Sequence, residues 1–362
     1  MHPQKTESTA VNKIKVAILG ASGYTGLELM RLLARHPGVN LAAVTSREYQ
    51  GRPVREVFPA LARIVELSFT PPDAEAIAAM AQVVFTAVPH KTAMEVVPRL
   101  LASGCRVVDL SADFRLRDRA VYETWYQPHT APELLGEAVY GLPELHREEI
   151  GTARLVGNPG CYPTGVILGL APLVQARLIQ LNSIIADCKS GVSGAGRQAA
   201  LGTSYCEVNE GFRAYKVAEH RHTPEMEQEL SGLAGTTVRV TFTPHLAPMS
   251  RGILGTLYAS YGPDSPMAGW TENDLFDHYR KFYQDQPFMR LHPPGSLPNT
   301  IQVRGSNFCD LGLRFDKERG RVIVISAIDN LTRGASGQAV ANFNLMVGFP
   351  ETTGLDLAPL AP

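Results

Sequence analysis

The strand Ile14-Lys15-Val16-Ala17-Ile18-Leu19 runs directly into Gly20-Ala21-Ser22-Gly23-Tyr24-Thr25-Gly26. The residues that follow have helical spacing, with Leu27, Met30, Leu33 and Ala34 on one apolar face, and a second strand spans Val39 to Val44. Further strands at Gln82–Val88 and Arg106–Leu110 alternate with helical segments. Such alternation leaves few choices: right-handed crossovers build a parallel sheet covered by helices on both faces. Glycines in the first turn let the backbone approach a pyrophosphate, and the free amides of the next helix bind its charge. The first glycine gap departs by one position from the usual dinucleotide pattern, so the strand-loop-helix context, more than the spacing, carries the reading.

The second strand ends in Ser46-Arg47, where NAD-preferring proteins commonly place an acid on the ribose hydroxyls. A hydroxyl and a guanidinium suit a 2′-phosphate instead, which favours NADP(H). The expected cofactor contacts are Gly20, Ser22, Gly23, Tyr24, Thr25, Gly26, Ser46 and Arg47.

Beyond about residue 158 the texture changes. Strand-like runs at Ser183–Cys188, Thr236–Phe242 and Ile253–Tyr261 are joined by Gly- and Pro-rich segments, and Asp310–Phe315 pairs across a turn with Arg321–Ala327. The reading is an α/β chain: a Rossmann-type parallel-sheet domain plus an α+β substrate domain with a mixed or antiparallel sheet. Residues 14–158 and 330–362 are assigned to the first domain, because helical spacing over Gly334–Val347 suits a return to it. Residues 159–329 form the second, for catalysis, substrate and oligomerisation, and residues 1–13 read as a disordered tail. With 44% hydrophobic and 19% charged residues and a net charge of −1, composition gives no reason to expect nucleic acid or a membrane as partner. A cytoplasmic enzyme with a small-molecule substrate is the natural class.

Chemistry concentrates at Val156-Gly157-Asn158-Pro159-Gly160-Cys161-Tyr162-Pro163, a strand-to-helix corner with the helix starting near Pro163. A sulfur at the positive end of a helix is easier to deprotonate, and the free amides can hold an oxyanion. Cys161 is therefore the expected nucleophile. The other four cysteines lack metal or disulfide spacing, and no metal is expected. In His220-Arg221-His222-Thr223-Pro224-Glu225, Thr223 and Pro224 read as a helix cap and first turn. If the chain is extended before them, His220 and His222 face one side. His220 is taken as the acid/base, and His222 and Asn158 as substrate contacts. Arg115, after the Arg106–Leu110 strand, suits either a bidentate anion contact or a structural salt bridge. The glycine-rich Lys189–Arg197 loop lacks P-loop spacing and reads as part of the substrate domain.

Four segments together, Gly20–Gly26, Val156–Pro172, His220–Glu225 and Asp329-Asn330-Leu331 to Gly337-Gln338-Ala339, resemble the N-acetyl-gamma-glutamyl-phosphate reductase family over about residues 14–350. The resemblance implies NADPH-dependent reduction of N-acetyl-L-glutamyl 5-phosphate to the 5-semialdehyde in arginine biosynthesis, through a thioester on Cys161. It implies a fold like that of glyceraldehyde-3-phosphate dehydrogenase, Asn330 near the nicotinamide, and a homo-oligomer. Two alternatives stay open: a reductase of lysine biosynthesis acting on a carrier-linked aminoadipyl or glutamyl phosphate, and a non-catalytic NADP-binding regulator. The regulator would have no need of a thiolate at neutral pH.

Overall fold

The computed structural model describes residues 13–360, so the tail expected at residues 1–13 lies outside them except for Lys13. Seven strands form the first sheet: β1 (Ile14–Leu19), β2 (Val39–Thr45), β3 (Phe69–Thr70), β4 (Val83–Thr86), β5 (Arg106–Asp109), β6 (Val139–Tyr140) and β7 (Leu155–Gly157). Their order is β3-β2-β1-β4-β5-β7-β6, and every pairing is parallel. The central strands are buried on both faces, as Val16, Ala17, Ile18, Val84 and Phe85 are at 0% exposure, so hydrophobicity is continuous rather than alternating.

The second sheet contains β8 (Ile184–Ser190), β9 (Arg213–Ala214), β10 (Val240–Leu246), β11 (Ile253–Ser260), β12 (Met289–Leu291), β13 (Cys309–Asp316) and β14 (Arg321–Ile328). Its order is β12-β13-β14-β11-β8-β10-β9, with parallel and antiparallel pairs mixed. Burial alternates strictly along β8 and β11. One face packs on the long apolar helix Cys161–Gln175, where Leu170, Leu173 and Val174 share a core with Leu257 and Val324. Gly169 sits where this helix meets Leu257, too close to admit a Cβ. The other face keeps Leu254, Tyr258, Ile323 and Ile325 only half-buried.

β10 lies later in the chain than the Thr236–Phe242 run suggests. The preceding helix ends at Gly235 in the left-handed conformation (φ 65°), and Thr236 and Thr237 turn outward. Pairing with β8 then extends through Pro244 to Leu246, which is possible because edge strand β9 pairs only with His245 and Leu246. After β14, a π-helical turn (Thr332–Ser336) leads into the helix Gly337–Met346. Its Val340, Phe343 and Met346 join Val16, Phe85 and Val108 in the core of the first sheet. Arg251 bridges the two halves, pairing with Glu28 at 2.7 Å and Asp329 at 3.2 Å. Burial pushes the Glu28 carboxyl up, but hydrogen bonds from Arg31 and Arg251 outweigh it and hold the group at about 2.

Candidate active site

β7 ends at Gly157 and the helix begins at Cys161, two residues before the expected Pro163. Gly160 is its extended N-cap (φ −68°, ψ 153°), so Cys161 is the first helical residue. Three buried side chains fix this corner. The Glu225 carboxylate accepts the Gly160 N–H at 2.6 Å and the Tyr140 hydroxyl at 2.7 Å, and lies 3.5 Å from the Arg115 guanidinium. Arg115, 8% exposed, also donates to the carbonyls of Asn158 (2.7 Å) and Leu110 (2.9 Å). Of its two readings the structure favours the salt bridge: all three nitrogens are engaged within the protein. Asn158 is likewise committed, accepting from Asn342 at 3.0 Å and donating to the Ala335 carbonyl at 3.2 Å. Neither residue lines the cavity beside Cys161, and both brace the corner through these hydrogen bonds.

That cavity, about 470 Å³, is lined by Cys161, His90, His220, His222, Lys216, Arg221, Tyr126 and Tyr215, among others. Its lining holds two cations and three imidazoles but no carboxylate, a charge pattern that suits an anionic ligand. Lys216 stands within the histidine segment, but no spacing signal singles it out. It has a left-handed backbone (φ 44°), a strained conformation for lysine. Arg221 lies over the Tyr126 ring at 5.1 Å, and the Tyr126 hydroxyl donates to its carbonyl at 3.1 Å.

The histidine segment is a pair of turns, not an extended run. The rings nonetheless meet, with centroids 4.8 Å apart. The His222 N–H donates to His220 Nδ1 at 3.2 Å, and the Thr223 N–H donates to the His220 carbonyl at 3.0 Å. The helix after it starts with His222 as N-cap, and Thr223 Oγ1 finds no partner, so Thr223 is not the cap. Because Nδ1 of His220 accepts, a neutral His220 carries its proton on Nε2. Nδ1 of His222 is buried with no partner, and the ring packs against Gly160, whose hypothetical Cβ would lie 2.6 Å from Nε2.

Burial works against the helix start at Cys161. Burial pushes the Cys161 thiol up to about 11, which outweighs the lowering by Arg115 and by the amides at the helix start. Burial also lowers His220 to about 4, aided by Lys216 and Arg221, and lowers His222 well below the usual range. Thiol and imidazoles therefore all rest neutral.

Gly20 ends β1 with φ 86°, where a Cβ would meet the Ala87 carbonyl oxygen at 2.5 Å, and Gly26 is pressed against the Ala21 backbone. Gly23 faces open space at the N-cap of the helix Tyr24–Leu33. Two glycines thus shape the turn and the third leaves it approachable, which fits a pyrophosphate at a helix start. Ser46 Oγ donates to Ser22 Oγ at 3.1 Å, and Arg47 is exposed. Tyr24 lines a second cavity of about 690 Å³, while the Thr25 carbonyl accepts from Ser336 at 2.9 Å. Asn330 spends both ends of its amide in the protein, accepting from the Gly252 N–H (2.7 Å) and donating to Ser193 (2.9 Å). It therefore holds the Gly191–Arg197 loop, which separates the two cavities.

Among the described residues no group of side chains could hold a metal, and no helix is long and apolar enough to cross a membrane.

Residues 15–153 match the NAD binding domain of semialdehyde dehydrogenases, and residues 161–330 match the semialdehyde dehydrogenase dimerisation domain. A relative from Syntrophobacter fumaroxidans named N-acetyl-gamma-glutamyl-phosphate reductase is 59% identical over 96% of this chain and 100% of its own. One of the same name from Geobacter metallireducens is 58% identical with the same coverage. Among solved structures, aspartate semialdehyde dehydrogenase II of Vibrio cholerae superposes with a TM-score of 0.70 at 16% identity, over 93% of this chain and 99% of that one. The Candida albicans aspartate semialdehyde dehydrogenase with NADP gives 0.67 at 14% identity, over 92% and 98%. At such identities these two establish the fold alone.

Proposed function

The chain belongs to the N-acetyl-gamma-glutamyl-phosphate reductase family, and from that membership we infer that it reduces N-acetyl-L-glutamyl 5-phosphate to N-acetyl-L-glutamate 5-semialdehyde, releasing phosphate, in arginine biosynthesis. The observation that carries this reading is the setting of Cys161: a nucleophile in a cavity with Lys216, Arg221 and three imidazoles and no acid. A substrate with one carboxylate and one phosphate fits such a lining, Lys216 and Arg221 taking its charges.

The neutral resting site assigns the histidines separate work. His222, with Nδ1 unpartnered, accepts the thiol proton as Cys161 Sγ attacks the acyl carbon. His220, protonated at Nε2, donates a hydrogen bond to the oxygen on which charge collects. On this reading His220 keeps the acid half of its expected acid/base role: with Nδ1 accepting from an amide, its Nε2–H can give a proton while no nitrogen is free to take one. The carbon–oxygen bond to phosphate then breaks, phosphate leaves with the proton from His222, and a thioester remains on Cys161. NADPH, when bound, supplies the hydride that reduces this thioester. The resulting hemithioacetal oxyanion expels the sulfur as a thiolate, which takes up one proton from solvent, and the aldehyde is released.

The half-buried apolar face of the second sheet, with Leu254, Tyr258, Ile323 and Ile325, supports a homo-oligomer joined sheet to sheet. The biosynthetic role supports a cytoplasmic location. The carrier-linked alternative has no support in these relatives' names, and a neutral thiol at rest no longer separates enzyme from regulator. Turnover does. With N-acetyl-glutamate semialdehyde and phosphate the protein should reduce NADP⁺, and Cys161→Ser should abolish it. Activity confined to aspartate semialdehyde or a carrier-linked aldehyde would overturn the substrate.

A further inference from the structure

Arg197 belongs to the second domain in sequence, yet its guanidinium lies in the first. It donates to the carbonyl of Ser22, inside the glycine loop, at 3.1 Å. It also sits 4.7 Å from the Phe58 ring centroid and 5.7 Å from that of Tyr49. Tyr49 lies in the turn after β2, where its N–H donates to Ser46 Oγ at 3.2 Å, and Ser46 Oγ in turn donates to Ser22 Oγ. Arg197 therefore stands over the point where the ribose of a dinucleotide leaves the glycine loop. Two more arginines are close in the chain. Arg47 is exposed, and Arg52 lies 5.6 Å from the Tyr49 ring centroid and 3.6 Å from Glu56. Apart from Glu56, the acid on this short stretch is Glu48, which is exposed.

Arg197 is itself exposed and makes no ion pair among the described residues. A guanidinium stacked on rings is fixed in place but keeps most of its donors. Its loop also reaches the other site: Gly194 and Ala195 line the cavity at Cys161, while Gly196 and Arg197 line the larger one beside Tyr24.

We propose that Arg197, reaching across from the substrate domain, completes the 2′-phosphate site of NADP(H) together with Ser46 and Arg47, and so determines cofactor specificity. The inference rests on the NADP(H) reading of that site. One side chain then ties recognition of the adenosine end to the loop that walls the cysteine cavity.

The test measures binding of 2′,5′-ADP and of 5′-AMP by calorimetry, to the full chain and to Arg197→Ala. The loss of a charge-assisted contact to phosphate should weaken 2′,5′-ADP roughly ten-fold or more. The 5′-AMP constant should change less than about two-fold, and Arg197→Lys should restore part of the loss. Equal weakening of both ligands would overturn the proposal, placing Arg197 on the shared 5′-phosphate; so would unchanged 2′,5′-ADP binding. Failure of the underlying reading looks different: the unaltered protein would then bind 2′,5′-ADP no tighter than 5′-AMP.

Discussion

Replacing Gly160 by alanine adds one methyl at the place where the His222 ring meets the cysteine corner. The backbone there (φ −68°, ψ 153°) is open to any residue, so the substitution brings no conformational strain. Its effect is steric. The new Cβ would lie 2.6 Å from Nε2, 2.8 Å from Cε1 and 2.9 Å from Cδ2 of His222. Restoring ordinary contact at about 3.4 Å requires the ring to retreat by roughly 0.8 Å, the difference between 3.4 and 2.6. Overpacking of this kind costs about 1–3 kcal/mol, and alanine returns about 0.4–1 kcal/mol by restricting the unfolded chain. The protein should therefore fold, with only a small loss of stability. Catalysis is more sensitive, since a misplacement near 1 Å can cost on the order of 100-fold. The expected result is a fall of roughly that size in kcat, with melting temperature nearly unchanged. A double-mutant cycle with His222→Ala locates the cause. If the methyl acts by moving the ring, Gly160→Ala should add almost nothing once the ring is gone. Full activity in the single variant, or additive losses in the double, would refute both the packing argument and the proton-accepting role of His222.

Three further outcomes follow from the same geometry. Glu225→Gln leaves the buried Arg115 guanidinium without its counter-charge and should destabilise the fold by about 3–5 kcal/mol in denaturant titrations; a change below about 1 kcal/mol would mean the pair contributes little. Burial holds His90 and His220 near 4 in the folded state, so unfolding takes up protons at lower pH. Their contribution is complete above the unfolded value near 6.5 and is lost as pH falls towards 4, at most about 3 kcal/mol per ring. Melting temperature should drop over that window, less steeply in His90→Gln, and a flat profile would contradict the burial of these rings. Arg47→Asp should reduce NADPH use far more than NADH use in initial-rate assays, whereas equal losses would remove Arg47 from the 2′-phosphate site.

The glycine loop and the cysteine corner were legible because local backbone geometry forces their residues: Gly20 and Gly26 have no room for a side chain, and Cys161 opens an apolar helix. The mixed second sheet is legible in the strand-like runs joined by Gly- and Pro-rich segments and in the hairpin over residues 310–327, although its order is not, since pairing partners far apart in sequence leave no local mark. Arg115 and Asn158 stand beside the nucleophile in the fold, but whether a polar side chain faces a ligand or a neighbouring carbonyl depends on tertiary contacts. The same holds for Lys216, Arg197 and the tautomer of His220. The protonation of the thiol is hidden in the sequence for a related reason. Placement at a helix start is readable from sequence, but the burial that outweighs it is not.

A cysteine only partly exposed, its thiol pushed up to about 11, has consequences outside the reaction. Peroxide and simple alkylating agents are attacked by the sulfur anion, so they should find this site quiet between turnovers. The exposed Cys206 is the one to be modified first, while Cys105, Cys188 and Cys309 are buried. Oxidative damage would then fall on Cys206 before the nucleophile. An inhibitor built on generic electrophilicity would be wasted there, whereas one carrying the anionic groups of the acyl phosphate would bring about the proton transfer that arms the sulfur against it.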